Sequence, residues 1–592
     1  MAKSSLKTRS KRAPAADAAQ EPNEDTVDAS TAEAQRKKRK QAVVIVHGMG
    51  EQKPLETLRG FVESVWGGRP VPRSDPHPDD VWLVPDTRAG LTELARVTTR
   101  RDETTKVATD FYELYWSDLL VGNTRAQLQG WVTGLLLRWP HQVPRETFVH
   151  WVALWVLVAL IVALAAYVGL TASLAAIKEL FADMAPIRNG WTAAAGVMLT
   201  AATWWFLGKR LAANLKRWDA ADIVFPGIWA GKTPKQASAS VALSRALRHA
   251  LPIVIGVAAY LYFPWSVLCL PKTWAVLVAA ALAVLLTGWV VPVFGDVARY
   301  VRTSPDAVEA RASIRGRGLE LVRALHGPRA DDRSGRYDYG DAGRYERIVV
   351  VGHSLGSIIA YDILRLFWEE RGPTRLNEAS PEAKAALQRL DDFCRAASAP
   401  GQTFDMSAFR TLQKAVADAL GEQPDGWKIS DFVTLGSPLT HAEFLVSRDR
   451  AAFEERKAER LFPTCPPMLE PSRRPSFLYP AGERAFAHHA AMFAAMRWTN
   501  IHDTDRVPVF GDFISGPCAP NFGPGVLDVA IKLDRGGPFG RLVTHTDYWN
   551  MDASGRASDA EGKKLGVDDV SSDPKAHITL LRRALALRGQ PR

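Results

Sequence analysis

Cysteine is scarce in this chain of 592 residues, which contains only four, all far apart and none in CxxC spacing. That scarcity argues against both a zinc site and a disulfide framework, and it fits a reducing compartment. The chain also lacks a P-loop and a dinucleotide fingerprint, since no glycine-rich stretch joins a strand to a helix at the required spacing. His488 and His489 are adjacent but have no third ligand at helical or turn spacing. We therefore expect neither a metal nor a cofactor.

Large apolar side chains are almost absent from residues 1–40, which are rich in Ala, Ser, Lys, Glu and Asp. Such a segment cannot bury enough surface to offset the entropy lost on ordering, so we predict a disordered basic tail. No apolar core follows its early basic residues, so we do not expect a secretory signal. The run RKKRK at 36–40 is interpreted as a solvated charge cluster, with contact to anionic lipid or nucleic acid as alternatives. Although the net charge is +10, no nucleic-acid partner is expected.

Charge is absent from long runs in the middle of the chain. Residues 151–177 and 274–294 contain no charged side chain, and a helix of about 20 apolar residues spans a bilayer core. Two weaker uncharged runs lie between them, at 191–208 and 251–270. We predict an α-helical transmembrane block of about four helices over residues 146–300. Re-entrant or interfacial placement of the two weaker runs, and a buried helical core of a soluble domain, are the alternatives.

The loops between these runs predict the orientation of the block. Residues 209–250 carry eight Lys or Arg and two acidic residues, and residues 295–320 carry five Arg. Basic loops stay on the cytoplasmic side, and four crossings return the chain to the side it left. We therefore expect a multi-pass integral membrane protein, with a bacterial-type plasma membrane favoured, whose two flanking regions lie in the cytoplasm.

A serine stands on a sharp corner in RIVVVGHSLGSIIAYDIL, residues 347–364. Apolar β-branched residues before it read as a buried strand, and the segment after it reads as a helix. A strand, Gly352-His353-Ser354-Leu355-Gly356, and a helix in this order indicate a nucleophile elbow, in which a strained backbone projects the hydroxyl of Ser354. Glycines at 352 and 356 let neighbouring backbone pass close by. An ordinary tight turn is the alternative.

Two backbone N–H groups are predicted to form an oxyanion hole. One belongs to Leu355, at the start of the helix after the serine. The other is expected from QAVVIVHGMGEQ, residues 41–52, a strand followed by glycines. We favour the N–H of Met49, with Gly48 as its neighbour, and a plain glycine turn at a strand end is the alternative.

The chain order Ser, acid, His of this arrangement directs the search for the other two residues. Residues 430–440 and 497–510 read as the next two strands, and the second ends in an Asp-rich loop. Asp505 is the favoured acid, with Asp503 and Glu443 as alternatives. His545, in RLVTHTDYWN at 541–550, is the favoured base, because His577 lies in an apparent helix. The imidazole of His545 would accept the proton of Ser354, and the acid would orient it.

Five motifs, His-Gly-Met-Gly, Gly-His-Ser-Leu-Gly, Leu-Gly-Ser-Pro, Asp-Arg-Val-Pro and His-Thr-Asp-Tyr-Trp, carry a resemblance to a known family. Together they resemble the lipase and esterase branch of the α/β-hydrolase superfamily. The Asp-x-Val-Pro step and the Tyr-Trp after the histidine are similar to class 3 lipases. The resemblance covers about residues 41–130 and 340–560. It implies an α/β-hydrolase fold, a mostly parallel sheet with helices on both faces, and ester hydrolysis through an acyl-serine. Ordinary soluble lipases lack the inserted membrane block.

These expectations divide the chain into a tail, two parts of one α/β-hydrolase domain, at 41–145 and 301–592, and the membrane block between them. Insertions near 371–430 and 451–496 are interpreted as lid or cap segments. The expected function is a membrane-anchored serine hydrolase that cleaves carboxylic esters. Lipid or lipid-linked esters are favoured because of the membrane location, with membrane lipids as further partners. Acyl transfer by the same triad, and a membrane scaffold or signalling protein with a catalytically silent hydrolase-like domain, are the alternatives.

Overall fold

The computed structural model describes the greater part of both regions that flank the predicted membrane block. The described residues are 40–48, 53–67, 77, 79–86, 95–120, 140, 143, 148–149, 151–152, 155, 300–301, 305–327, 345–372, 380–422, 426–447, 449–481, 484–507, 510–537, 540–541 and 544–590. The predicted tail, except Lys40, and nearly all of the predicted block, including its two weaker runs and its loops, therefore lie outside the described residues. No helix within the described ranges has the length and apolar character that crossing a bilayer requires.

Short segments rich in apolar residues form the strands of the structure. Within the described residues these are β1 Lys40–Val46, β2 Val81–Pro85, β3 Ala95–Thr99, β4 Ala108–Leu114, β5 Tyr345–His353, β6 Ile429–Leu435, β7 Leu478–Ala481, β8 Arg484–Ala487, β9 Arg497–Asp503, β10 Arg506–Val507, β11 Phe510–Gly511, β12 Leu527–Asp534 and β13 Ser554–Arg556. The helices are α1 Glu56–Trp66, α2 Pro305–His326, α3 Leu355–Arg371, α4 Pro381–Ala397, α5 Met406–Gly421, α6 Ala442–Leu445, α7 Arg450–Ala458, α8 Ala519–Phe522, α9 Asp559–Lys563 and α10 Ala576–Leu585.

Nine of these strands form one sheet, in the order β13-β12-β9-β6-β5-β1-β4-β3-β2. The six strands from β12 to β4 run parallel, whereas β13, β3 and β2 pair antiparallel at the two edges. Parallel strands are connected by crossovers, so helices cover their faces. The prediction of an α/β protein with a mostly parallel sheet is confirmed.

The two faces of the sheet carry separate apolar cores. In β1, Val43 and Ile45 point to the core that α1 and α10 cover, while Val44 and Val46 point to the core beneath α2, α3 and α5. Successive side chains of a strand point to opposite faces, so burial on both faces requires an uninterrupted apolar run. This is the physical reason for the runs AVVIV in β1 and IVVV in β5.

The predicted lid segment at 371–430 contains α4 and α5, and both pack into the body of the protein. Gln413 in α5 donates from Nε2 to the backbone oxygens of Phe493, at 2.6 Å, and Met496, at 3.1 Å. Asp391 in α4 accepts hydrogen bonds from the hydroxyl of Ser476 and the N–H of Phe477, both at 2.9 Å. These contacts fix α4 to the second predicted cap segment and α5 to the residues that lead into β9. A lid role for either segment stays a prediction.

A buried charge network joins four strands at the amino-terminal end of the parallel strands. Asp110 of β4 is fully buried. Its carboxylate accepts hydrogen bonds from Lys40 Nζ at 2.9 Å, from the Tyr345 hydroxyl at 2.6 Å and from Thr98 Oγ1 at 2.6 Å. A buried carboxylate is stable only when its charge and its lone pairs have partners. Asp110 thus holds the first residues of β1 and β5 in register beside β4.

Replacing Asp110 with Asn should lower the free energy of unfolding by about 3 kcal/mol, because Lys40 would lose its buried counter-charge. Urea unfolding of the purified protein, followed by tryptophan fluorescence, measures this change. The matched control is Asp392→Asn, which removes an exposed carboxylate that pairs with Arg395 at 2.8 Å. It should change the unfolding free energy by less than about 1 kcal/mol. Equal effects of the two variants would contradict a structural role for the network.

Candidate active site

Ser354 stands between β5 and α3 in a strained backbone conformation, with φ 54° and ψ −129°. A residue other than glycine in such a region costs about 1–3 kcal/mol and persists only when its surroundings hold it there. Here the N–H of Ser354 donates to the carbonyl oxygen of Leu435, the last residue of β6, at 3.0 Å. The hydroxyl oxygen is buried and has no hydrogen-bond partner among the described residues.

The two glycines of the elbow lie where no side chain fits. A Cβ on Gly352 would come within 2.5 Å of the Cα of Ser357, and a Cβ on Gly356 within 2.2 Å of the carbonyl oxygen of Val46. The first turn of α3 therefore passes directly against the end of β1. This close packing is what allows the chain to turn so sharply at Ser354.

His545 lies beside a buried carboxylate, that of Asp512. Its Nδ1 is 2.9 Å from Oδ2 of Asp512, which is within ion-pair distance. Burial acts to raise the pKa of Asp512, but His545 and the hydrogen bonds from the Tyr548 hydroxyl and the Ile514 N–H lower it to about 2. Asp512 is thus ionised over the whole working range of pH. A buried carboxylate in this position fixes the orientation of an imidazole and stabilises its protonated form.

The prediction that Asp505 is the acid beside His545 is wrong in this structure, and the alternative Asp503 does not take that place either. The carboxylate of Asp505 contacts Arg541 and lies 3.9 Å from Nζ of Lys532. Asp503 is fully buried, and its carboxylate accepts hydrogen bonds from Thr544 Oγ1 at 2.7 Å and from the N–H of Asp505 at 3.0 Å.

A short hairpin explains the displacement of the acid along the sequence. After β9, strands β10 and β11 pair antiparallel, and the chain returns to Asp505, whose carbonyl oxygen accepts the N–H of Asp512 at 2.9 Å. Gly511 has φ +76°, and a Cβ there would lie 2.1 Å from the carbonyl oxygen of Asp505. The glycine allows the return, which directs Asp512 toward His545. The only sequence signal for this is the Gly-Asp pair at the end of Asp-Arg-Val-Pro-Val-Phe-Gly-Asp.

The remaining alternatives make other contacts. Glu443, the third candidate acid, lies 3.2 Å from Arg450. His577, the alternative base, is in α10, and its Nε2 donates to the carbonyl oxygen of Asn550 at 3.1 Å. Neither contacts Ser354 or His545 through any hydrogen bond or ion pair in the described part of the chain.

Gly436 and His353 connect the base to the elbow. Gly436 follows the residue that accepts the N–H of Ser354, and a Cβ on it would lie 3.2 Å from Cε1 of His545 and 3.1 Å from Oδ2 of Asp512. His353 donates from Nε2 to the carbonyl oxygen of His545 at 2.9 Å. Nε2 of His545, like the hydroxyl of Ser354, is buried and has no hydrogen-bond partner among the described residues. The structure therefore brings Ser354, His545 and Asp512 to the carboxyl end of the parallel strands.

The predicted oxyanion residues, as far as the structure describes them, lie at the same end of the parallel strands. Leu355 begins α3, and the N–H groups of a first helical turn have no acceptor within the helix. A Cβ on Gly48 would lie 3.0 Å from the Cβ of Ser354, so the loop after β1 contacts the elbow. Met49 lies outside the described residues.

His47 holds the peptide that enters this loop. Its Nδ1 donates to the carbonyl oxygen of Gly48 at 2.9 Å, and its Nε2 accepts the N–H of Trp116 at 3.2 Å. Burial lowers the pKa of His47 to about 4, so the ring is neutral and keeps one donor and one acceptor. The histidine of the His-Gly-Met-Gly motif thus has a structural task that sequence reasoning did not assign.

Two further serines, also missed from the sequence, support the elbow. Ser357 donates to the carbonyl oxygen of Ser354, and the hydroxyls of Ser357 and Ser437 are 2.7 Å apart. Ser437 belongs to the Leu-Gly-Ser-Pro motif after β6, where it also accepts the N–H of Leu439 at 3.2 Å. Within the described ranges, no group of three or more His, Cys, Asp or Glu could hold a metal ion.

Comparisons with known proteins add no relative to this description: no family model, no curated protein and no solved structure matches the chain. The functional interpretation therefore rests on the motifs and the geometry of this chain.

Asp512→Asn should slow the reaction of Ser354 with a fluorophosphonate by about 10³- to 10⁴-fold, because His545 would lose the charge that orients it. The matched control is Asp505→Asn, which should slow labelling by less than about fivefold, since a partly exposed ion pair contributes little. Single-turnover labelling kinetics at pH 8 measure both. If Asp505→Asn slowed labelling more than Asp512→Asn, Asp505 would be the acid instead.

The stability of the protein should fall with acid, because His353 is buried neutral. Burial, together with the neighbouring His545, lowers the pKa of His353 from 6.5 to about 3. Below pH 6.5 only the unfolded chain takes up this proton, so the contribution is complete above pH 6.5 and is lost as the pH falls toward 3. Each such group contributes a slope of about 1.4 kcal/mol per pH unit. Urea unfolding between pH 7 and 5 should give a smaller slope for His353→Gln, and an unchanged slope would contradict this account.

Proposed function

We propose that the chain is a serine hydrolase that cleaves carboxylic esters through an acyl-serine intermediate, and that its sheet is that of an α/β-hydrolase. The observation that carries the proposal is that the buried, strained Ser354 lies at the same end of the parallel strands as the His545–Asp512 pair. Ser354 follows β5, Asp512 follows β9 and His545 follows β12, so the chain order is Ser, acid, His. That order and the strand–serine–helix corner are those of the α/β-hydrolases.

The proposed reaction assigns a role to each residue of the site. The hydroxyl oxygen of Ser354 attacks the ester carbonyl while Nε2 of His545 accepts its proton, and the Asp512 carboxylate stabilises the imidazolium. The N–H of Leu355 and, as the sequence predicts, the N–H of Met49 stabilise the oxyanion of the tetrahedral intermediate. His545 then returns the proton to the departing alcohol. Water, deprotonated by His545, attacks the acyl-serine; the bond to the oxygen of Ser354 breaks, His545 returns the proton to that oxygen, and the acid is released.

Backbone strain favours an enzyme over a catalytically silent scaffold. Strained residues are often found at sites where the strain serves the chemistry. Ser354 is in such a conformation, and its buried hydroxyl lacks a hydrogen-bond partner in the described part of the chain. An unsatisfied buried hydroxyl adds a further cost of about 1–3 kcal/mol.

The membrane part of the proposal depends on the uncharged runs at 151–177 and 274–294, which favour a lipid or lipid-linked ester, and on the basic loops at 209–250 and 295–320, which favour a cytoplasmic site. Large apolar side chains are exposed where the first run begins: Phe148 is 40%, Val149 61% and Val152 39% exposed. Strands β1 and β5, one on each side of the predicted block, pair directly. Because both strands belong to one sheet, any crossings between them must be even in number.

The test is to label the purified full chain, in detergent, with a fluorophosphonate that reacts only with activated serines. We expect labelling of the wild type and none of Ser354→Ala, whereas the control Ser398→Ala, at the end of α4, should label normally. Aryl esters of graded acyl length then define the substrate class. A folded wild-type protein that neither labels nor hydrolyses these esters would support the silent scaffold. Transfer of the acyl group to an added alcohol in preference to water would identify an acyltransferase.

A further inference from the structure

Tyr548, three residues after His545, is buried against the acid of the proposed triad. Its hydroxyl lies 2.7 Å from Oδ2 of Asp512. This is the same carboxylate oxygen that lies 2.9 Å from Nδ1 of His545. Oδ1, the other oxygen of Asp512, accepts the N–H of Ile514 at 3.0 Å. Both carboxylate oxygens are therefore held, and Tyr548 holds the one that faces the base.

The single proton of the Tyr548 hydroxyl determines the direction of these hydrogen bonds. Among the described residues the hydroxyl has three hydrogen-bond neighbours: Asp512, the hydroxyl of Ser515 at 3.0 Å and the backbone N–H of Asp503 at 3.2 Å. The N–H can only donate, and a hydrogen bond to a charged carboxylate is about twice as strong as one to a neutral hydroxyl. Tyr548 therefore donates to Asp512 and accepts from Asp503. The hydroxyl links the end of β9 to the carboxylate.

The ring of Tyr548 is buried and closely packed. Tyr548 is 1% exposed, and a Cβ on Gly436 would lie 2.7 Å from its Cε2. Its ring centroid is 6.1 Å from that of His353, in the elbow. Burial and the charge of Asp512 raise the pKa of the phenol well above its usual range, so it remains a neutral donor.

We propose that Tyr548 is a positioning residue of the reaction: its hydroxyl fixes the Asp512 carboxylate in the orientation that His545 requires. The inference rests on the proposed serine-hydrolase function and deepens it by a fourth residue. Among the described residues the Tyr548 hydroxyl makes no hydrogen bond to Ser354 or His545, so in this proposal it acts only through Asp512. Its effect must therefore disappear when the carboxylate is removed, which a merely structural role would not predict.

Tyr548→Phe removes the hydroxyl and keeps the ring. We expect kcat/KM for an aryl ester to fall about tenfold or more, with KM little changed, as for loss of a hydrogen bond to a charged group. The acid limb of the pH profile should move to higher pH, because a carboxylate with one donor fewer binds the imidazolium of His545 more strongly. The matched control is Tyr361→Phe, which removes a buried hydroxyl that donates to the carbonyl oxygen of Pro463 at 2.6 Å, and it should leave the pH profile unchanged.

A double-mutant cycle with Asp512→Asn decides between positioning and structure. In the Asp512→Asn background, Tyr548→Phe should change kcat/KM by less than about twofold. Additive losses, or a wild-type rate and pH profile in Tyr548→Phe, would overturn the inference while Ser354-dependent activity still supports the proposed function. Lack of activity in the wild type would instead overturn the proposed function itself.

If Tyr548→Phe fails to fold, a ring-fluorinated tyrosine at position 548 provides the test with the hydroxyl in place. The fluorinated phenol is a stronger donor, so the acid limb should move to lower pH. A limb that does not move would count against the inference.

Discussion

The packing of the first turn of α3 against the ends of β1 and β6 is the constraint on which the site depends. Gly352 and Gly356 leave no room for side chains, and the N–H of Ser354 is bound to the end of β6. These contacts hold a backbone conformation that would relax in an open loop. They also bring three segments to one point: the loop after β1, the elbow and the turn at Gly436. The strained geometry of the elbow is thus maintained by backbone packing.

The second constraint on the site is that its buried carboxyl groups need hydrogen-bond donors or a counter-charge. Around the site, Asp512 has two hydrogen-bond donors and His545 beside it, and Asp503 accepts from Thr544 and from the N–H of Asp505. Burial raises the pKa of Asp503 to about 7, while the partners of Asp512 lower its pKa to about 2. The two carboxyl groups therefore differ in pKa because Asp512 has His545 and two hydrogen-bond donors beside it, whereas burial dominates at Asp503. A carboxylate whose pKa stays low keeps the charge that can stabilise an imidazolium.

The sheet tolerates a very long insertion because strand pairing depends on register and not on chain connection. Val43 of β1 pairs with Val349 of β5, although the whole predicted membrane block lies between them in sequence. The ends of both strands are fixed by Asp110, which binds Lys40 and Tyr345. The entropic cost of closing a loop grows only slowly with its length, so a long insertion is compatible with this pairing.

Local patterns in the sequence determined much of the molecule. The apolar runs before residues 47 and 354 predicted β1 and β5, because strands buried on both faces need such runs. The spacing of Gly352, Ser354 and Gly356 predicted the sharp turn, since glycines at these positions let neighbouring backbone pass close by. Only the tertiary structure decided that Asp512, and not Asp505, lies beside His545. That choice depends on the hairpin of β10 and β11 and on the left-handed backbone of Gly511, and on contacts from Tyr548 and Gly436. Residues brought together by a chain reversal or from separate strands leave no fixed spacing in the sequence.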